Sequence, residues 1–172
     1  AVALEKLWQA IFDAVRLAVD EDAAARWQEH IDFLARAAKF MNDHAFKRLE
    51  YKNSLGTNLS IELPRGHIWA GGAEKTQAGV TFVANMPTEE IYTLPKRDGV
   101  NGTVLATRPL NVNGTIVDGF SLTFKAGKVV NYKAARGEEI LKELFATDEG
   151  ASYLGEVALV PYDSPISRSG VL

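Results

Sequence analysis

Apolar residues near the start of the chain recur at helical spacing. Leu4, Leu7, Trp8, Ile11, Phe12, Val15 and Val19 fall on one face of a helix. Asp20-Glu21-Asp22 interrupts that stripe and supplies an N-cap and acidic first turn for a second helix of about 20 residues. Its core stripe is Trp27, Ile31, Leu34, Ala38 and Met41, with Arg26, Glu29, Arg36 and Lys39 toward water. Neither helix can bury its stripe alone, so each is expected to pack on the other or on the remainder of the chain.

From Phe46 the period shortens to that of strands. Segments 46–52, 58–63, 67–70 and 80–83 read as short strands separated by turns bearing Gly and Pro. A meander runs over 102–108, 115–124 and 128–134, with joints at Asn113-Gly114 and Ala126-Gly127. The Asn-Gly pair is a strong hairpin signal, because both residues tolerate positive φ. Gly137 to Phe145 reads as a short amphipathic helix and 148–154 as a further helical turn. Segment 155–160 reads as a strand stopped by Pro161. The fold class is α+β: two N-terminal helices, then a mainly antiparallel β-sheet with a short inserted helix. The implied division is a helical segment, 1–45, and a mainly antiparallel β portion, 46–172.

Composition narrows the function classes. The 172 residues are 47% hydrophobic, enough for one substantial core. A net charge of −3 with no basic run argues against a nucleic-acid partner. No apolar stretch approaches the roughly 20 residues of a membrane span, so no membrane partner is expected. The absence of cysteine excludes disulfides and thiolate metal sites and fits a reducing, cytoplasmic setting. Ala1 begins within a helical pattern, and Ser167 to Leu172 carries no terminating element. On that basis the chain is expected to be an internal piece of a longer protein.

Candidate chemistry rests on carboxylates. Pro87-Thr88-Glu89-Glu90 reads either as a helix start, with Thr88 as N-cap, or as a rigid loop from which one Glu reaches a metal ion. Glu156 opens the apolar run Val157 to Val160. A carboxylate entering a buried strand must be paired, protonated or metal-bound, unless it lies at an edge and points to water. Oxygen donors of this kind suit Zn, Co, Mn or Mg. His30, His44 and His67 lack metal-pair spacing and read as surface or capping residues. Gly71-Gly72 fits no phosphate-binding fingerprint.

Three long segments carry a resemblance. They are Asn85-Met-Pro-Thr-Glu-Glu-Ile-Tyr-Thr-Leu-Pro95, Gly99-Val-Asn-Gly-Thr-Val-Leu-Ala-Thr-Arg-Pro-Leu110 and Asp148-Glu-Gly-Ala-Ser-Tyr-Leu-Gly-Glu-Val-Ala-Leu-Val-Pro161. In this order they resemble the M29 family of metalloaminopeptidases, the aminopeptidase T, aminopeptidase S and PepS type. The likeness extends from Arg36-Ala-Ala-Lys-Phe-Met-Asn42 to Asp163-Ser-Pro-Ile166. It implies a pair of divalent metal ions and peptide substrates cleaved at their N-terminal residue. Among the metal ligands it implies Glu90, with Glu89 as the fallback, and Glu156 as the residue bridging both ions. A homodimer is expected on a separate ground, because a missing C-terminal part would leave an apolar patch uncovered. The remaining ligands of the family lie in later motifs that this chain does not contain, and no catalytic base is assigned within it. The chain alone is therefore expected to be inactive and to self-associate. The competing reading is a non-catalytic scaffold that keeps the family fold, and the coding sequence beyond Leu172 discriminates between the two.

Overall fold

The computed structural model describes residues 2–18 and 20–169. Its elements begin with α1 (Val2–Ala14), α2 (Ala23–His44), β1 (Arg48–Lys52), β2 (Asn58–Glu62), β3 (Ala73–Lys75), β4 (Thr81–Val83) and β5 (Ile91–Thr93). They continue with β6 (Val100–Leu105), β7 (Leu110–Val112), β8 (Thr115–Val117), β9 (Ser121–Lys125) and β10 (Lys128–Lys133). α3 (Glu138–Phe145), β11 (Val157–Leu159) and α4 (Pro165–Ser169) complete the order. This is an α+β fold with mainly antiparallel sheets, as the periodicity implies. Among the described residues, no helix is long and apolar enough to cross a membrane.

The described residues form two compact units. One holds 2–44, 68–93 and 158–169, and the other holds 45–67 and 94–157.

In the first unit, Asp22 caps α2 as its sequence suggests: Oδ1 accepts the amides of Ala24 and Ala25 at 3.0 and 3.2 Å. The buried face of α2 is Trp27, His30, Leu34, Ala38 and Met41. Four of these are the expected stripe; His30 replaces the half-buried Ile31. Asn42 then ties the helix to the returning chain. Its amide nitrogen donates to the Trp69 carbonyl at 2.9 Å, and its oxygen accepts the Trp69 amide at 2.8 Å. β3 and β4 form an antiparallel hairpin, and β5 pairs with β11, whose Ala158 and Leu159 fall in this unit.

α1 departs from expectation in two ways. It ends at Ala14, short of the apolar stripe drawn through Val19, and Val19 lies outside the described residues. It also buries none of its residues, leaving Leu4, Leu7 and Trp8 at least half exposed. The early stop has a clear cause. Leu17 donates its amide to Phe12 and Arg16 donates to Asp13, the paired bonds of a Schellman terminus, with Arg16 in the left-handed region at φ 60°.

The second unit is built on one five-stranded antiparallel sheet of order β1-β2-β6-β9-β10. β2 shows why: Leu59 and Ile61 alternate with Asn58, Ser60 and Glu62, so a single face reaches the core with Val100 and Phe124. Asn113 and Gly114, both at positive φ, turn β7 into β8 as their chemistry requires. The strand expected over 115–124 is broken at 118–120, where Asp118 bridges to Arg136 instead. The helical turn expected over 148–154 is a tight turn: Asp148 Oδ1 accepts the amides of Gly150 and Ala151, a bonding pattern that competes with helix. α3 lies against β8 and buries Leu141.

Candidate metal centre

Pro87 to Glu90 is not a helix start. Residues 88–90 are irregular and lead into β5, so Thr88 starts no helix, and the two neighbouring carboxylates have different surroundings. Glu89 is buried, with 6% of its surface exposed. Arg16 grips it from the end of α1 with two parallel bonds, Nε to Oε1 at 2.8 Å and Nη2 to Oε2 at 2.7 Å. His30 approaches Oε1 at 3.4 Å, while its Nε2 donates to the Thr88 carbonyl at 2.6 Å. The Nε2 proton is therefore fixed on that nitrogen. Burial pushes the Glu89 carboxyl up, but Arg16, with His30, outweighs it and holds the group below the ordinary carboxylate value. A carboxylate so engaged serves as a structural anchor in this arrangement. His30, expected at the surface, is instead buried and belongs to this anchor.

Glu90 is the contrasting neighbour. It is half-buried, and among the described residues its carboxylate has no hydrogen-bond or ion-pair partner. Its backbone is held from behind by Gly71. A Cβ at that position would lie 2.5 Å from the Glu90 carbonyl oxygen and 3.0 Å from the Ile91 Cα, and Gly71 itself has φ +151°. The Gly71-Gly72 pair thus serves close backbone approach. Gly71→Ala is expected to destabilise the protein by about 1–3 kcal/mol and to displace Glu90. Urea denaturation checks the first effect; a variant as stable as the native chain would refute it.

Glu156 lies just before β11 and is exposed, while the next residue, Val157, is buried. The carboxylate is therefore not carried into the apolar interior; it stands at the strand entrance, free to accept a ligand without a desolvation penalty. Glu90 belongs to the first unit and Glu156 to the second. His44 is exposed and donates through Nδ1 to the Phe40 carbonyl at 2.8 Å, consistent with a surface role. Among the described residues, no group of three or more His, Cys, Asp or Glu side chains is placed to hold a metal ion. Both Glu90 and Glu156 are hard oxygen donors without protein partners among the described residues, which suits a divalent ion.

Arg16 is the functional neighbour that periodicity misses. Helix termini of this type favour Gly or Asn, and an Arg in an apparently continuous stripe gives no stop signal.

Known proteins resemble this chain along almost its whole length. The family described as thermophilic metalloprotease (M29) matches residues 1–172. Aminopeptidase 2 of Geobacillus stearothermophilus is 51% identical over 170 residues, covering 99% of this chain and 41% of its own. Aminopeptidase T of Thermus aquaticus is 45% identical, also over 170 residues. The solved structure of wild-type AmpT from Thermus thermophilus superposes with a TM-score of 0.89 at 42% identity, again over 99% of this chain and 41% of that one. The chain spans about two fifths of the length of the relatives it matches.

Proposed function

Because the chain belongs to the M29 family of thermophilic metalloproteases, we propose that it supplies part of an aminopeptidase that removes N-terminal residues from peptides at a two-metal site. Its contribution is the carboxylates Glu90 and Glu156, with Glu156 bridging the two ions. The observation that carries this reading is the split between adjacent acids: Glu89 is consumed by Arg16, whereas Glu90 has no protein partner among the described residues. In this reading 1–45 and 46–172 are the helical and mainly antiparallel portions of a metallopeptidase domain, although the two compact units cut across that division.

When bound, divalent ions such as Zn, Co, Mn or Mg supply a Lewis acid that polarises the scissile carbonyl and acidifies water. The chain's own work is positional. Arg16 pins Glu89, His30 pins the Thr88 carbonyl, and Gly71 lets the backbone close against Glu90, so the Glu90 carboxylate is presented from a segment tied on both sides. Glu156 adds a second negative charge from the entrance of β11, where no described side chain competes for it.

Two carboxylates make a weak, open-faced metal site, so the 172-residue chain is expected to hydrolyse no leucyl substrate by itself. Turnover by pure material would overturn that expectation. Self-association as a homodimer is part of the same reading, supported by the apolar face that α1 leaves in solvent. Light scattering that returns a monomer at high concentration would count against it. The reading also places the protein in the cytoplasm, in keeping with its cysteine-free composition, and cell fractionation tests this.

A further inference from the structure

A cavity of about 910 Å³ opens in the second unit, lined by residues from 45–48 and 62–67 together with Lys96. Four cations, Lys47, Arg48, Arg65 and Lys96, line it against one carboxylate, Glu62. Lys96 engages Glu62 at 3.0 Å and Asp98 at 3.4 Å, and Arg48 engages Glu50 at 3.1 Å. Among the described residues, no acid lies within ion-pair distance of Lys47 or Arg65. The charge is invisible as a run in the sequence, because three separate segments deliver it to a chain whose net charge is −3.

The walls are fixed by the backbone. The Leu63 amide donates to the Lys47 carbonyl at 2.9 Å, and the Lys96 amide donates to the Glu62 carbonyl at 2.8 Å. His67 adds a polar group with a defined role. Its Nδ1 donates to the Pro64 carbonyl at 2.9 Å, so in the neutral ring Nε2 is the lone-pair nitrogen. That Nε2 is buried and lacks a hydrogen-bond partner among the described residues. Uncompensated like charges around a concavity raise the local potential and attract a counter-ion.

We propose that this cavity binds a small anion bearing phosphate or clustered carboxylates. Lys47 and Arg65 provide the unpaired charge, with the Arg65 guanidinium suited to two-pronged contact with either group. His67 Nε2 accepts a bond from a protonated ligand atom. The site uses neither Glu90 nor Glu156 and stands independently of the peptidase reading.

The test is calorimetric titration of inorganic phosphate, and separately of citrate, into chelator-treated protein at constant ionic strength. Saturable binding of at least one anion is expected. The double variant Lys47→Ala/Arg65→Ala should weaken it at least tenfold with an unchanged thermal midpoint. Lys125→Ala/Lys128→Ala, which flank the β9–β10 turn of the same unit, should change it less than twofold. Binding of phosphate alone identifies phosphate as the recognised group; binding of citrate identifies clustered carboxylates. No saturable binding of either anion, or equal loss in both double variants, would overturn the proposal.

Discussion

Arg16→Ala is expected to lower the unfolding free energy by about 3–5 kcal/mol, because it strands a buried carboxylate without its cation. Glu89 is 6% exposed and takes both of its short bonds from Arg16, with His30 the more distant neighbour at 3.4 Å. Arg16→Gly loses the same ion pair but relaxes a residue held at φ 60°. It should cost about 1 kcal/mol less than the alanine variant. That ordering separates the backbone contribution from the charge.

The pH dependence has a definite sign. The folded Glu89 carboxyl sits below its unfolded value. Its stabilising contribution is therefore fully present above the ordinary carboxylate range and is lost as pH falls through the folded value. In Arg16→Ala the burial that raises the group loses its main opponent, and the carboxyl moves up. The penalty of that variant is then largest where Glu89 must be ionised and shrinks on acidification. Urea denaturation at about pH 7 and about pH 4 should show the native and variant curves converging at the lower pH. A constant gap would contradict the buried ion pair as the cause.

Glu90→Ala and Glu156→Ala are each expected to reduce kcat/KM at least a hundredfold in the longest natural form of the protein, a loss of about 2.7 kcal/mol in transition-state stabilisation. Neither change should lower stability much. Glu90 has no protein partner among the described residues, and Glu156 is exposed. Glu62→Ala, which removes a half-buried acid on β2, should leave kcat/KM within twofold. Peptide hydrolysis and thermal unfolding measured on the same preparations separate the two effects. If activity and stability fell together in the Glu90 and Glu156 variants, a structural role would account for them instead.

The α+β architecture was legible because its signals are local. α2 announces itself through the Asp22 cap and a stripe at helical spacing, and the Asn113-Gly114 turn through two residues that accept positive φ. The failures are equally physical. α1 stops at an Arg in the left-handed conformation, which bonds a partner 73 residues away and leaves no trace in the apolar period. Thr88-Glu89-Glu90 has the composition of a helix start, but Arg16 bonds the Glu89 carboxylate and His30 the Thr88 carbonyl, and the segment is irregular. The apolar run beside Glu156 suggests a carboxylate entering the interior; the strand begins one residue later, at Val157, and leaves Glu156 in solvent. Of the candidate ligands, residue type and motif indicated Glu90 and Glu156. The family resemblance placed Glu90 ahead of Glu89, but the Arg16 partner of Glu89 was not legible, because it comes from 73 residues away.

Metal content is the most direct test of the central claim that Glu90 and Glu156 are ligands. The longest natural form of the protein, purified with its metal, would be assayed beside Glu90→Ala and Glu156→Ala by elemental analysis. About two equivalents per chain are expected in the native protein, with at least one lost in each variant and no change in fold by circular dichroism. Full metal content in both variants would contradict the assignment of these two carboxylates.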